Sequence, residues 1–206
     1  MEYGDPGWWP AETPFEVAVG AILTQRASWR NVELAIESLR NAGSLTPAGL
    51  LRARREELEQ LIRPVGFYRQ KTRYLLEFAS FIDRDHDGNI TSLSRMTASE
   101  VRKELLRLPG IGPETADSIL LYALGFPTFV VDAYTMRLLE RMGIDAGEGY
   151  ESVKKSFEDS LDGDCSMMAR AHALIVVHCK SRCKSTPVCN GCPFIESCIS
   201  EAEKQK

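Results

Sequence analysis

The segment Leu108-Pro109-Gly110-Ile111-Gly112-Pro113 constrains this chain more than any other. It sits between two stretches with the apolar spacing of helices, 97–107 and 113–124. Two glycines around one apolar residue let the backbone double back where a Cβ would resist. Pro113 suits the first turn of the helix that follows, because its missing N–H has no helical partner there. The amides of such a turn, with the dipole of the helix they feed, favour an anion such as a backbone phosphate. On these residues alone a plain inter-helix turn remains the alternative.

The rest of the chain also reads as helix. Residues 15–23 are apolar on most faces, as in a buried helix, and 29–39 carry Val32, Ala35, Ile36 and Leu39 at helical spacing before Gly43 and Pro47. Further helices are predicted over 47–62, 70–82, 133–142, 148–161 and 166–179. No run alternates convincingly with period two, so the expected fold class is all-α. Asp83, Asp85 and Asp87, with Gly88 and Ile90, imitate the start of a calcium-binding loop. The twelfth position, where a bidentate glutamate belongs, is Ser94. An acidic, solvated inter-helix loop is the better reading.

A chain of 206 residues can bury one substantial core or two small ones. Its net charge of −4 argues against coating DNA through an overall field, so any such binding must come from local basic faces. The basic residues do cluster: Arg52, Arg54 and Arg55; Arg63, Arg69, Lys71 and Arg73; and Lys180, Arg182 and Lys184. Each group alone reads as a solvated helix face. No stretch approaches the roughly 18 consecutive apolar residues of a membrane helix. The acidic N-terminus lacks the basic lead-in and apolar stretch of a secretory signal. The expectations are a cytoplasmic location, nucleoid-associated in a prokaryote, with no membrane partner and a monomeric state.

Four of the six cysteines, Cys183, Cys189, Cys192 and Cys198, have the spacing C-x5-C-x2-C-x5-C. Thiolates this close repel one another unless a metal neutralises them, and a structural zinc or an iron–sulfur cluster would serve equally. A closed set of four thiolates has no open position, so its work is structural. Asp132 follows the apolar run Phe129-Val130-Val131 and precedes a helix, where aspartate is among the best caps. All three tryptophans, Trp8, Trp9 and Trp29, lie in the first part of the chain.

Taken in order, Ala21-Ile22-Leu23-Thr24-Gln25, the run Ile62 to Tyr68, LPGIGPETADSIL, Val130-Val131-Asp132 and the cysteine tail resemble the helix-hairpin-helix (endonuclease III) superfamily of DNA glycosylases over essentially the whole chain. The resemblance implies a two-lobed fold with the DNA groove between the lobes. One lobe is six helices over 22–131 with the hairpin; the other joins 1–21 to 132–206 and ends in a cluster loop over 183–198. It implies a [4Fe–4S] cofactor on the four cysteines, although the family spacing is C-x6-C-x2-C-x5-C and this first loop is one residue shorter. The cluster loop would present Lys180, Arg182 and Lys184 to DNA.

Asp132 would be the catalytic carboxylate, stabilising positive charge that builds on deoxyribose as the base leaves. Leu108, Gly110, Ile111 and Gly112 would hold backbone phosphate. Gln25 would fill the gap left by a flipped nucleotide, with Arg26 beside it where the nearest branch has asparagine. Glu114 stands where bifunctional members carry the lysine that forms a Schiff base, so hydrolysis without strand cleavage is implied. The WWP element, the aromatic after LTQ and GxETAD together resemble the methylpurine (3-methyladenine) branch. Trp8, Trp9, Pro10, Trp29 and Glu114 would then line the base pocket, and the partner would be double-stranded DNA holding an alkylated purine. A cationic base stacks well on indole. The rival readings are a mismatch, oxidised-base or deaminated-base glycosylase, and a non-catalytic DNA-damage or redox sensor.

Overall fold

The computed structural model describes residues 3–4 and 9–199. No strand occurs among the described residues, and the chain is built from α1 (Pro14–Thr24), α2 (Trp29–Asn41), α3 (Pro47–Arg52), α4 (Arg55–Leu61), α5 (Tyr68–His86), α6 (Ala98–Leu105), α7 (Pro113–Ser118), α8 (Ala133–Met142), α9 (Gly149–Ser160) and α10 (Cys165–Ser181). The all-α expectation holds. Helix starts are written locally. Thr13, Ser28, Thr46, Thr97, Asp132 and Asp164 each accept, through the side chain, the backbone N–H three residues on. Each such cap contributes about 1 kcal/mol. Thr97 and Glu100 complete a reciprocal capping box.

Two predicted spans divide differently. The 47–62 span is two helices, because Ala53 and Arg54 are extended at ψ 146° and 143°. Helix α5 runs past 82 to His86, so Asp83 and Asp85 lie on helix and only Asp87 turns the chain, at φ 49°. The acidic segment is therefore mostly helix, not loop.

The described residues pack as two units, one of them Trp9–Phe126 and the other Tyr3 and Gly4 with the described residues from Pro127 onward. Tyr3 belongs to the second unit, its hydroxyl 2.8 Å from Nδ1 of His178. Residues 9–21, expected outside the hairpin lobe, instead belong to it. The reason is the apolar character of α1. Its residues Phe15 through Leu23 are all buried, which requires neighbours on every side, and α2, α5 and α7 supply them. The one charge among them, Glu16, is ion-paired with Arg40 of α2.

Residues 127–131, expected in the hairpin lobe, pack with the second unit. Thr128 Oγ1 and the Phe129 N–H donate to Glu158 of α9 at 2.9 and 3.0 Å. The Phe129 ring stacks on Phe157, with centroids 3.9 Å apart. These bonds satisfy an extended segment that has no sheet to join.

Candidate functional site

Helices α6 and α7 flank the glycine turn. The Arg102 guanidinium clamps them by donating to both oxygens of the fully buried Asp117, at 2.9 and 3.1 Å. Gly110 has φ 82°, and a Cβ there would lie 2.2 Å from the Tyr74 ring. Both facts demand glycine. Ile111 is buried and Leu108 packs on the core, so these two offer only backbone to a ligand. Gly112 is exposed at the cap of α7. The Gln25 side-chain amide donates to the Gly110 carbonyl at 2.7 Å and to Thr115 Oγ1 at 3.1 Å, which joins the end of α1 to the hairpin. Arg26 follows, exposed and left-handed at φ 53°.

A second strained residue escaped the sequence reading. Phe67 is left-handed at φ 46° and 61% exposed. Left-handed backbone at a non-glycine residue costs about 1 kcal/mol or more and persists only where the surroundings enforce it. Lys71 supplies the enforcement. Its buried Nζ donates to the carbonyls of Leu23 and Val65, both at 2.9 Å, fixing the end of α1 and the turn before Phe67. Burial pushes this ammonium down to about 8. Lys71 is thus an internal tie and not part of a solvated basic face.

Trp9 and Trp29 meet edge to face, with centroids 5.2 Å apart at 84°. Trp9 lies over α1 at Gly20, where a Cβ would stand 3.1 Å from its ring. Tyr122 completes the aromatic group, 5.5 Å from Trp9. It is presented by a π-helical turn, Ile119–Ala123, that extends α7. Trp9, Pro10, Trp29, Glu16 and Glu33 line one open cleft. The Trp29 indole N–H donates to Glu33 Oε1 at 2.8 Å. Sequence reasoning brought Trp9, Pro10 and Trp29 together. It missed Glu33 and Tyr122, whose roles depend on helix phase and on the π turn. Trp8 lies outside the described residues. Glu114 is exposed on the first turn of α7 and does not line this cleft.

In the second unit, Asp132 caps α8. Its Oδ1 accepts from the Thr135 N–H at 2.8 Å and the Thr135 hydroxyl at 3.0 Å, while Oδ2 lies 3.6 Å from Nε2 of His172 on α10. Burial by itself raises the carboxyl pKa. The interaction with His172 and the two Thr135 bonds outweigh it and hold the group below the usual aspartate value. Asp132 is therefore an anion kept in a largely buried place, oriented from two sides. Its cap was legible in the sequence. His172 was not singled out, although Met168, His172, Val176 and Cys179 share the buried face of α10 at helical spacing.

Cys183, Cys189, Cys192 and Cys198 line one cavity. Arg141 of α8 donates to Cys183 Sγ at 3.1 Å and to the carbonyls of Lys184 and Ser185 at 2.7 and 3.1 Å. The Cys198 thiol faces the Arg141 carbonyl at 3.3 Å. Among the described residues, no three His, Cys, Asp or Glu side chains are grouped so as to hold one metal ion. Four cysteines around one cavity are a donor set that either a polynuclear cluster or a single zinc uses. Lys180 and Lys184 are exposed, whereas Arg182 is half-buried and donates to the Asn190 carbonyl at 2.9 Å.

A glycine hairpin tied to Gln25, with a buried carboxylate capping a later helix in an all-α chain, is the equipment of a helix-hairpin-helix DNA-repair protein. Residues 19–162 match the HhH-GPD superfamily of base excision DNA repair proteins, and this chain belongs to that superfamily. It is 45% identical over 202 residues to a Methanocaldococcus jannaschii protein provisionally named a DNA repair glycosylase, covering 97% of this chain and 91% of that one. Among solved structures, an endonuclease III in a non-covalent complex with DNA superposes with a TM-score of 0.80 at 26% identity, over 95% of this chain and 86% of that chain. The H. pylori 3-methyladenine DNA glycosylase bound to 1,N6-ethenoadenine gives 0.76 at 28% identity, over 87% of this chain and 90% of that chain.

Proposed function

We propose that this DNA glycosylase of base excision repair hydrolyses the N-glycosidic bond of an alkylated purine flipped from duplex DNA, and does so without cutting the strand. The observation that carries the reading is the aromatic cleft of Trp9 and Trp29 with the Glu33 carboxylate at its edge. Purines alkylated at N3 or N7 are cationic in DNA, and a cation is drawn to an indole face and to negative charge. They are also good leaving groups, so little acid catalysis on the base is needed. The two indoles touch edge to face, so a base enters against one face or by turning one ring aside.

The hairpin at Gly110 and Gly112 grips phosphate through backbone amides, positioning the duplex without reading its sequence. Gln25, Arg26 and exposed Phe67 meet the stack at the extruded nucleotide, where an apolar wedge offsets part of the unstacking cost. Asp132 stays ionised, stabilises the sugar cation and orients water toward it. Glu114 lacks the amine that a Schiff base requires, so the product is an intact strand with an abasic site. The cysteine tail holds a [4Fe–4S] cluster that fixes the chain end and presents Lys180 and Lys184 to DNA. The cluster supplies no step of the hydrolysis.

The test is base release from duplexes carrying methylated, oxidised, deaminated or mismatched bases. Release of N3-methyladenine or N7-methylguanine ahead of the other classes is expected. Exclusive release of mismatched or oxidised bases would replace this reading with its rival.

A further inference from the structure

We propose that Glu33 is a specificity-determining residue that makes the aromatic cleft select cationic over neutral bases. This inference rests on the alkylpurine reading above. Glu33 lies one turn after Trp29 on α2 and lines the same cleft, with Oε1 accepting the indole N–H at 2.8 Å. A carboxylate on that N–H fixes the ring's rotation and polarises it, adding electron density to the face a base would meet. Its negative charge also sits at the edge of the cleft. Both effects favour a positive ring and give a neutral ring nothing comparable.

Glu16 lines the cleft too and is the more buried carboxylate, but it cannot serve equally. Arg40 of α2 is ion-paired with it and also with exposed Glu12, so the Glu16 charge is met by a cation inside the protein. Among the described residues no Lys, Arg or His pairs with Glu33. Its charge therefore reaches the cleft uncancelled, although solvent exposure moderates it.

The experiment compares wild-type with Glu33→Gln, which keeps the shape and the acceptor but removes the charge, and with Trp29→Phe, which keeps a ring but removes the N–H. Single-turnover release is measured from duplexes holding N7-methylguanine or N3-methyladenine (cationic) and hypoxanthine or 1,N6-ethenoadenine (neutral). Thermal melting of each variant confirms folding. Glu33→Gln should lose roughly three- to tenfold on the cationic pair and less than twofold on the neutral pair. Adding Glu33→Gln to Trp29→Phe should change the ratio of the two classes by less than it does in wild-type, because the two residues act as one unit. A wild-type enzyme that prefers cationic bases, with a Glu33→Gln variant that keeps the same preference, would overturn this inference and leave the alkylpurine reading standing. A wild-type enzyme that releases only neutral bases would overturn both.

Discussion

Nε2 of His172 stands 3.6 Å from Oδ2 of Asp132, while the Thr135 bonds are made to the other carboxylate oxygen. Burial pushes Asp132 toward the neutral acid, and this histidine leads the forces that keep it charged. The folded pKa lies below the unfolded value of about 3.9, so the stability Asp132 contributes is present above that value and is lost as pH falls through the lowered one. His172→Gln removes the imidazole partner and lets burial act, so the carboxyl pKa should rise. In single-turnover pH profiles the acid limb of His172→Gln should move to higher pH. An unmoved limb would make His172 a packing residue only.

Asp132→Asn tests the charge itself. Asparagine still caps a helix well, so folding should survive. Base release should fall by the equivalent of about 3–4 kcal/mol, while affinity for damaged duplex stays within a few-fold. Near-wild-type release by a well-folded variant would reduce Asp132 to a helix cap.

Glu114 gives a prediction about product. Strands should remain intact until alkali or an abasic-site nuclease is added, and borohydride should trap no protein–DNA adduct. Efficient trapping would assign lyase chemistry to another lysine.

The two hairpin glycines should respond differently. Gly110→Ala forces a side chain into left-handed backbone and into the Tyr74 ring, so it should cost about 1–3 kcal/mol of stability by denaturant melting and weaken DNA binding at least tenfold. Gly112→Ala meets nothing within 4 Å and has ordinary φ, so its stability should change by less than about 1 kcal/mol.

Purified protein should be brown, with about four irons per chain, the iron content of one [4Fe–4S] cluster. Cys198→Ala should lose iron and melt earlier. A colourless wild-type protein holding one zinc would remove the cluster from this chain.

The sequence made the helices legible wherever caps and breakers mark their ends: Thr13 and Pro14, Ser28, Thr97 with Glu100, Gly112 and Pro113. It concealed the break in 47–62, because Leu51-Arg52-Ala53-Arg54-Arg55 holds no glycine or proline to mark the extension at Ala53. Asp132 was readable as both cap and candidate anion. The residues that tune its surroundings were not, since His172 lies forty positions away and reads as one more buried side chain of α10. In the sequence Phe67 and Lys71 are only parts of a motif and of a basic cluster. Only the left-handed φ of the first and the two carbonyl partners of the second separate them from their neighbours. The domain division failed at α1 because apolar content says that a helix is buried without saying beside what.

Trp9, Trp29, Tyr122 and Glu33 all lie within the Trp9–Phe126 unit, whereas Asp132, Thr135 and His172 all lie beyond it. The residues that shape the cleft and those that hold the carboxylate thus belong to different units. On the proposed reading, a lineage carrying this arrangement can drift from one lesion to another through changes at a handful of positions in α1, α2 and the π turn, without replacing Asp132, Thr135 or His172. For directed evolution, libraries confined to the cleft positions Trp9, Trp29, Glu33 and Tyr122 should therefore yield altered lesion preference more often than inactive protein.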